Sequence, residues 1–235
     1  CGHLRRYKKI VKKTYIIYEK FNLILLGLIL IASFSVTGCQ SGEKNETNQP
    51  EPTVDGLKIT AEGAPVEVRL SSDGKYSYEY DKDKYAVTTT TNDSNFEIKV
   101  EEIKSGVVKG EQSNVIVYIP DQSYTLITGV SEGSSLILPA INTDITVTSS
   151  ASSVMLSLPT DYDKTLNYTG NASSCSISMN DMKDYIINAK ISTSSVQVLS
   201  SWPEYDMLSS DYSYTSGNGT AKLNIDVASS SITFN

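Results

Sequence analysis

Eight short alternating apolar triplets recur along this chain, mostly about twenty residues apart, beginning at Val66, Phe96, Val115, Leu136, Val154, Cys175, Val196 and Ile232. A repeat this short cannot bury a face by itself and must stack on its neighbours, so the period constrains the fold more tightly than composition does. In the clearest unit Val154, Leu156 and Leu158 alternate with Met155 and Ser157, the period-two pattern of a half-buried strand. A second strand precedes it. Ile145 and Val147 stand nine and seven residues ahead of Val154, and equal offsets place Leu166 and Tyr168 before Cys175. Ile187 and Ala189 precede Val196 in the same way, as Leu223 and Ile225 precede Ile232 and Leu57 and Ile59 precede Val66.

Between the two strands of a unit lie small polar corners: Ser149 to Ser153, Gly170 to Ser174, Ser192 to Ser195 and Ala228 to Ser231. Small polar residues suit tight corners because they tolerate unusual backbone angles and bond nearby backbone groups. Each unit therefore reads as strand, corner, strand and a longer return. The fold class expected is all-β, a β-solenoid of parallel, β-helix-like coils of about 20 residues. An antiparallel β-sandwich is the alternative, since short strands with regular turn signals are its signature too.

The first forty residues follow another pattern. Seven basic residues and one acid occupy positions 1–20, an apolar run follows from Leu23 to Phe34, and Val36-Thr37-Gly38-Cys39 closes it. A basic stretch, a short apolar core and small residues at its end make an export signal, too short for a stable membrane span. Residues 1–38 are therefore expected to be a signal peptide. Residues 39–55, polar and rich in Glu, Asn and Gln, cannot bury enough surface to fold and read as a flexible tether. The repetitive domain spans 56–235.

Removing residues 1–38 changes the charge. The whole chain carries −7 at pH 7, and the remainder keeps 13 basic against 26 acidic residues, a net −13. Binding to nucleic acid rests on phosphate neutralisation, so no nucleic-acid partner is expected. The single histidine, His3, lies in the signal. Catalysis by a His-dependent triad and His-ligated zinc are then excluded. A carboxylate pair is what remains for an enzyme, with Asp81/Asp83, Asp161/Asp163 and Asp181/Asp184 as candidates. All three pairs fall in returns where Asp ordinarily shapes turns, so no catalytic residue is assigned. No return has the dense oxygen pattern of a calcium loop, and no metal or cofactor is assigned. Cys175 shares the stacking position of Val154 and Val196 and is expected to be a small buried apolar residue.

Aromatic residues supply the remaining candidates for a site. Among 15 Tyr and one Trp, Trp202, Tyr205, Tyr212 and Tyr214 crowd the 36-residue interval before Ile232. They are candidate ligand contacts, and equally candidate covers for an open end of the stack. Tyr76, Tyr78 and Tyr80 line one side of an extended stretch in the same two senses.

Two resemblances carry functional expectations. Val36-Thr37-Gly38-Cys39 resembles the bacterial lipobox at all four positions. The resemblance implies cleavage between Gly38 and Cys39, lipidation of Cys39, and a membrane partner reached through the lipid. Acyl chains contribute about 0.8 kcal/mol per buried methylene, so two or more chains on Cys39 hold a protein without a transmembrane helix. Val115 to Leu126 (VIVYIPDQSYTL) and Val154 to Leu166 (VMLSLPTDYDKTL) each run strand, Pro, Asp/Tyr return and next strand. With the Ser-rich corners they resemble the putative-adhesin domain of unknown function found in bacterial exported and lipid-anchored proteins. That resemblance covers most of residues 57–235 and implies a β-solenoid without catalytic residues.

The function expected is a non-enzymatic, lipid-anchored cell-surface protein that binds a glycan or an envelope protein. It would sit on the extracytoplasmic face of the cell membrane of a Gram-positive bacterium. An envelope stress or signalling accessory lipoprotein is the alternative, and a carboxylate-dependent enzyme acting on polysaccharide is a third reading.

Overall fold

Alternation of apolar and polar side chains sets the strands, because each core-facing residue is flanked by two that face water. The computed structural model describes residues 54–235 apart from 93, 104–113, 180 and 199–210. The signal, Gly38, Cys39 and most of the tether fall outside the described residues. So do Trp202 and Tyr205.

Among the described residues there are seventeen strands and no helix. The first six are β1 (Gly56–Glu62), β2 (Val66–Leu70), β3 (Ser77–Glu79), β4 (Tyr85–Asn92), β5 (Asn95–Glu102) and β6 (Val115–Ile119). Next come β7 (Leu126–Glu132), β8 (Ser135–Leu138), β9 (Asp144–Ser150), β10 (Ser153–Ser157), β11 (Thr165–Asn171) and β12 (Ser174–Ser178). The last are β13 (Tyr185–Ser192), β14 (Ser195–Val198), β15 (Asp211–Ser216), β16 (Ala221–Ala228) and β17 (Ser231–Phe234).

Each strand–corner–strand unit gives one strand to each of two sheets. The nine-stranded sheet has the order β15-β13-β16-β11-β9-β7-β1-β5-β4, and the eight-stranded sheet the order β14-β17-β12-β10-β8-β2-β6-β3. The repeat offsets appear as register. Val154 stands opposite Leu136 and Cys175, and Cys175 opposite Ile232. Val196 lies one strand further on, also opposite Ile232. On the other sheet Tyr168 stands between Val147 and Ile225. The two sheets share one apolar core. They approach so closely that a Cβ on Gly129 would lie 2.9 Å from Leu136 Cδ2 and 3.7 Å from Leu138 Cδ1 of the opposite sheet.

This arrangement overturns the expected β-solenoid. A solenoid lays down coil after coil, so neighbours in the chain are neighbours in space. Here β1 and β2 lie between β5–β6 and β7–β8, and β16 and β17 lie between β11–β12 and β13–β14. Both sheets are mixed, because β3, β4 and β15 join their margins antiparallel to β6, β5 and β13. The layering is closer to the sandwich alternative, two sheets about one core. The antiparallel direction of that alternative holds only at the margins, and the inner pairs are parallel. The physical reason is degeneracy: every unit presents the same apolar offsets, so the core pattern sets how units dock but not in what order.

The corners are tighter than the sequence indicates. Strands continue to Ser150, Asn171, Ser192 and Ala228, leaving two residues at each turn. The first of these is left-handed, with φ of 49° at Ala151, 50° at Ala172, 51° at Thr193 and 52° at Ser229. Gly63 and Gly133 hold the equivalent place in earlier units, at 66° and 60°. A residue with a Cβ gives up about 1–2 kcal/mol in this conformation. The second corner residue offsets part of that cost, because its hydroxyl closes the turn. Ser152, Ser173, Ser230 and Ser194 each donate from Oγ to the carbonyl two residues back, at 2.7, 2.8, 2.8 and 2.7 Å. Each hydroxyl also accepts from the corner N–H stacked beside it. Ser134 N donates to Ser152, Ser152 N to Ser173, Ser173 N to Ser230 and Ser230 N to Ser194. A serine ladder thus runs across five corners.

Candidate functional site

The strands that stack the core inward present their alternate residues outward as equally regular rows. Toward the β4 margin of the nine-stranded sheet the outer rows are charged. Lys58 meets Glu97 at 2.7 Å, and Lys99 bridges Glu62 at 3.1 Å and Glu101 at 2.9 Å. Such exposed pairs contribute little stability. Toward the β15 margin the outer rows change character.

There, Asn167 on β11, Asn224 on β16 and Asn188 on β13 occupy one row in register. Asn188 Nδ2 donates to Asn224 Oδ1 at 3.2 Å, and Asn224 Nδ2 donates to Asn167 Oδ1 at 3.0 Å. Ser213 on β15 ends the row, its hydroxyl donating to Asn188 Oδ1 at 3.0 Å. The next row holds Thr169, Asp226, Lys190 and Asp211, again on adjacent strands. The three asparagines and the second row line a depression of about 460 Å³, together with Tyr212.

The chemistry of this surface is that of many weak, fixed polar contacts. A primary amide carries two N–H donors and two acceptor lone pairs. The ladder commits only part of that capacity, leaving free donors and acceptors on the same row. The mutual bonds hold the amide planes, so a ligand would find them already ordered. In the second row Lys190 lies between two carboxylates, giving an alternation of charge along one line.

The aromatic candidates are placed differently. Tyr212 and Tyr214 lie on β15 opposite Ala189 and Ile187, half-buried against the core, with the Tyr214 ring 6.1 Å from that of Tyr185. Tyr212 reaches the depression. At the opposite margin Tyr76 and Tyr78 are buried, Tyr76 lying 4.6 Å from Phe96 with its hydroxyl 3.1 Å from that of Tyr124. Burial pushes the Tyr78 and Tyr124 hydroxyls well above the ordinary phenol range.

The carboxylate pairs shape turns. Asp81 accepts from Asp83 N at 3.0 Å and lies 3.4 Å from Lys84. Asp163 lies 2.9 Å from Lys164, whose hydrogen bond lowers its carboxyl below the usual range. Asn142 ties the same return together, donating to Asp161 O and accepting from Asp163 N, both at 3.3 Å. Asp184 accepts from Thr220 N at 2.9 Å, and this bond holds its carboxyl low. Asp181 takes a left-handed φ of 62°. Cys175 is a buried free thiol, and burial raises its pKa far above the thiolate range. Such a group is no nucleophile at neutral pH.

Sequence reasoning missed the asparagine row. The signal was present: Asn167, Asn188 and Asn224 each stand one residue after the first apolar residue of their unit, Leu166, Ile187 or Leu223. A polar residue repeating at one outward position is the surface counterpart of the apolar repeat.

No protein-family model matches this chain, and no curated protein matches it. Among solved structures the chain is similar to a putative cell adhesion protein from Clostridium sporogenes, with a TM-score of 0.57 and 15% sequence identity. The match covers 82% of this chain and 97% of that one. At that identity the likeness is one of fold.

Proposed function

We propose that this chain is a non-enzymatic, adhesion-type binding module, held on the extracytoplasmic face of a bacterial cell membrane by a lipid on Cys39. The observation that carries the binding role is the ordered polar surface between β11 and β15, a depression of about 460 Å³ lined by amide, hydroxyl and charged side chains. The fold likeness to a protein described as a putative cell adhesion protein points the same way. The export signal and lipobox support the anchor, and the polar tether after Cys39 would hold the module off the membrane. The absence of histidine beyond His3 and the turn roles of the Asp pairs support the non-enzymatic reading.

The test is display of the full chain on a bacterial host beside Cys39→Ala. The expected result is membrane-bound, surface-accessible protein that lets cells adhere to glycan- or envelope-protein-coated surfaces, with the variant released or retained unlipidated. Cleavage of a polysaccharide that disappears in Asp161→Asn or Asp163→Asn would replace this reading with an enzyme.

A further inference from the structure

We infer that the depression on the nine-stranded sheet takes a neutral, hydroxyl-rich glycan chain lying across β11, β16, β13 and β15; this rests on the binding-module reading above. Three observations favour that ligand class.

The first is the match of groups. A sugar hydroxyl both donates and accepts, and so does each amide of the row Asn167, Asn224 and Asn188 once its ladder bonds are made. The amides repeat at the strand spacing of about 4.8 Å, so three gaps from Asn167 to Ser213 span roughly 14 Å. A short oligosaccharide laid along the row would meet one ordered amide or hydroxyl at each strand. Because the ladder already fixes these side chains, little rotamer freedom remains to be lost on binding.

The second is charge. Asp226 and Asp211 flank Lys190 in register, so the second row carries two carboxylates for one ammonium. Carboxylates accept strongly from neutral hydroxyls and repel uronates, sulfates and phosphates. The chain as a whole, at −7, adds to that repulsion. A neutral glycan fits this field and an anionic one does not.

The third is what the rows lack. Protein partners are anchored by apolar and aromatic side chains in a desolvated centre. Both rows consist of Asn, Ser, Thr, Asp and Lys throughout, and Tyr212, the aromatic side chain at the depression, is half-buried against the core rather than available to anchor a partner. Of the exposed large apolar side chains, Met155, 51% accessible, belongs to the other sheet, and Leu126, 40% accessible, stands on β7, outside the four strands that carry the rows.

The experiment uses the full chain in detergent with neutral glucose, mannose, galactose and N-acetylglucosamine oligomers, and polygalacturonate as the anionic probe. Binding is read by calorimetry or affinity electrophoresis. At least one neutral oligomer should bind, and Asn188→Ala with Asn224→Ala should weaken it tenfold or more. Met155→Ala on the opposite sheet should leave it within twofold. Asp226→Ala leaves the amide ladder intact and guards against misfolding of the double variant; it should weaken neutral binding several-fold. No binding of any neutral oligomer, equal binding by the row variants, or preference for polygalacturonate would each overturn the glycan assignment. Loss of glycan binding alongside retained adhesion to a protein-coated surface would overturn this inference and leave the module role standing. Absence of both binding and surface display would remove the module role itself.

Discussion

Gly170 shows how one absent carbon positions a large side chain. Tyr168 is 1% exposed, and its hydroxyl lies 2.7 Å from Ser149 Oγ. Two residues along the same face of β11, a Cβ on Gly170 would come within 2.8 Å of that hydroxyl and 2.9 Å of ring atom Cε1. The ring therefore needs the empty place. Gly170→Ala would gain a few tenths to 1 kcal/mol from reduced freedom of the unfolded chain. Overpacking costs about 1–3 kcal/mol and outweighs it. Denaturant melts should show a net loss in Gly170→Ala. Adding Tyr168→Phe should restore only part, since Cε1 clashes as well as the hydroxyl. In the sequence Gly170 reads as the opening of a corner. Its true place is the end of a strand, beneath a ring that period-two alternation puts inward but whose lean no pattern encodes.

At the scale of elements the corners join the units more firmly than their two residues suggest. Ser173 is buried; its hydroxyl donates to Asn171 O at 2.8 Å and accepts from Ser152 N at 3.3 Å. Ser173→Ala leaves the Ser152 N–H without an acceptor in the buried corner, while Asn171 O keeps the bond from Ala151 N at 3.0 Å, and should cost about 1–3 kcal/mol in chemical denaturation. Ser194→Ala breaks equivalent bonds at the last step of the ladder, where water can replace the hydroxyl, and should cost less. Equal losses would mean that burial does not govern the ladder. The strands themselves were legible in the sequence, because burial on one face enforces alternation and like offsets enforce register. Val154 opposite Cys175 follows from that pattern alone. The order of units was not legible, since β17 offers β12 the same Ile232 that it offers β14. The asparagine row went unread for a different reason. Outward positions answer to no packing rule, so their chemistry emerges only once strands 36 and 57 residues apart in sequence stand side by side.

Across the described residues, most contacts join segments distant in sequence, the β4–β5 hairpin being a local exception, and such topologies fold slowly, on the order of milliseconds to seconds. Stability should also be graded along the stack. The inner strands β9 to β12 have partners on both sides, whereas β4 and β15 are held along one edge only among the described residues. Hydrogen exchange should release the amides of β4 and β15 first and those of β9, β11 and β12 last. Uniform protection from edge to centre would contradict the grading. One feature of the topology reaches beyond equilibrium. Residues 221–234 leave the ribosome after residues 185–198, yet they are wedged between that earlier pair and the body of the stack. Until they emerge, neither sheet can reach its final order at that place. The serine ladder and the asparagine row are both completed by the same late arrival.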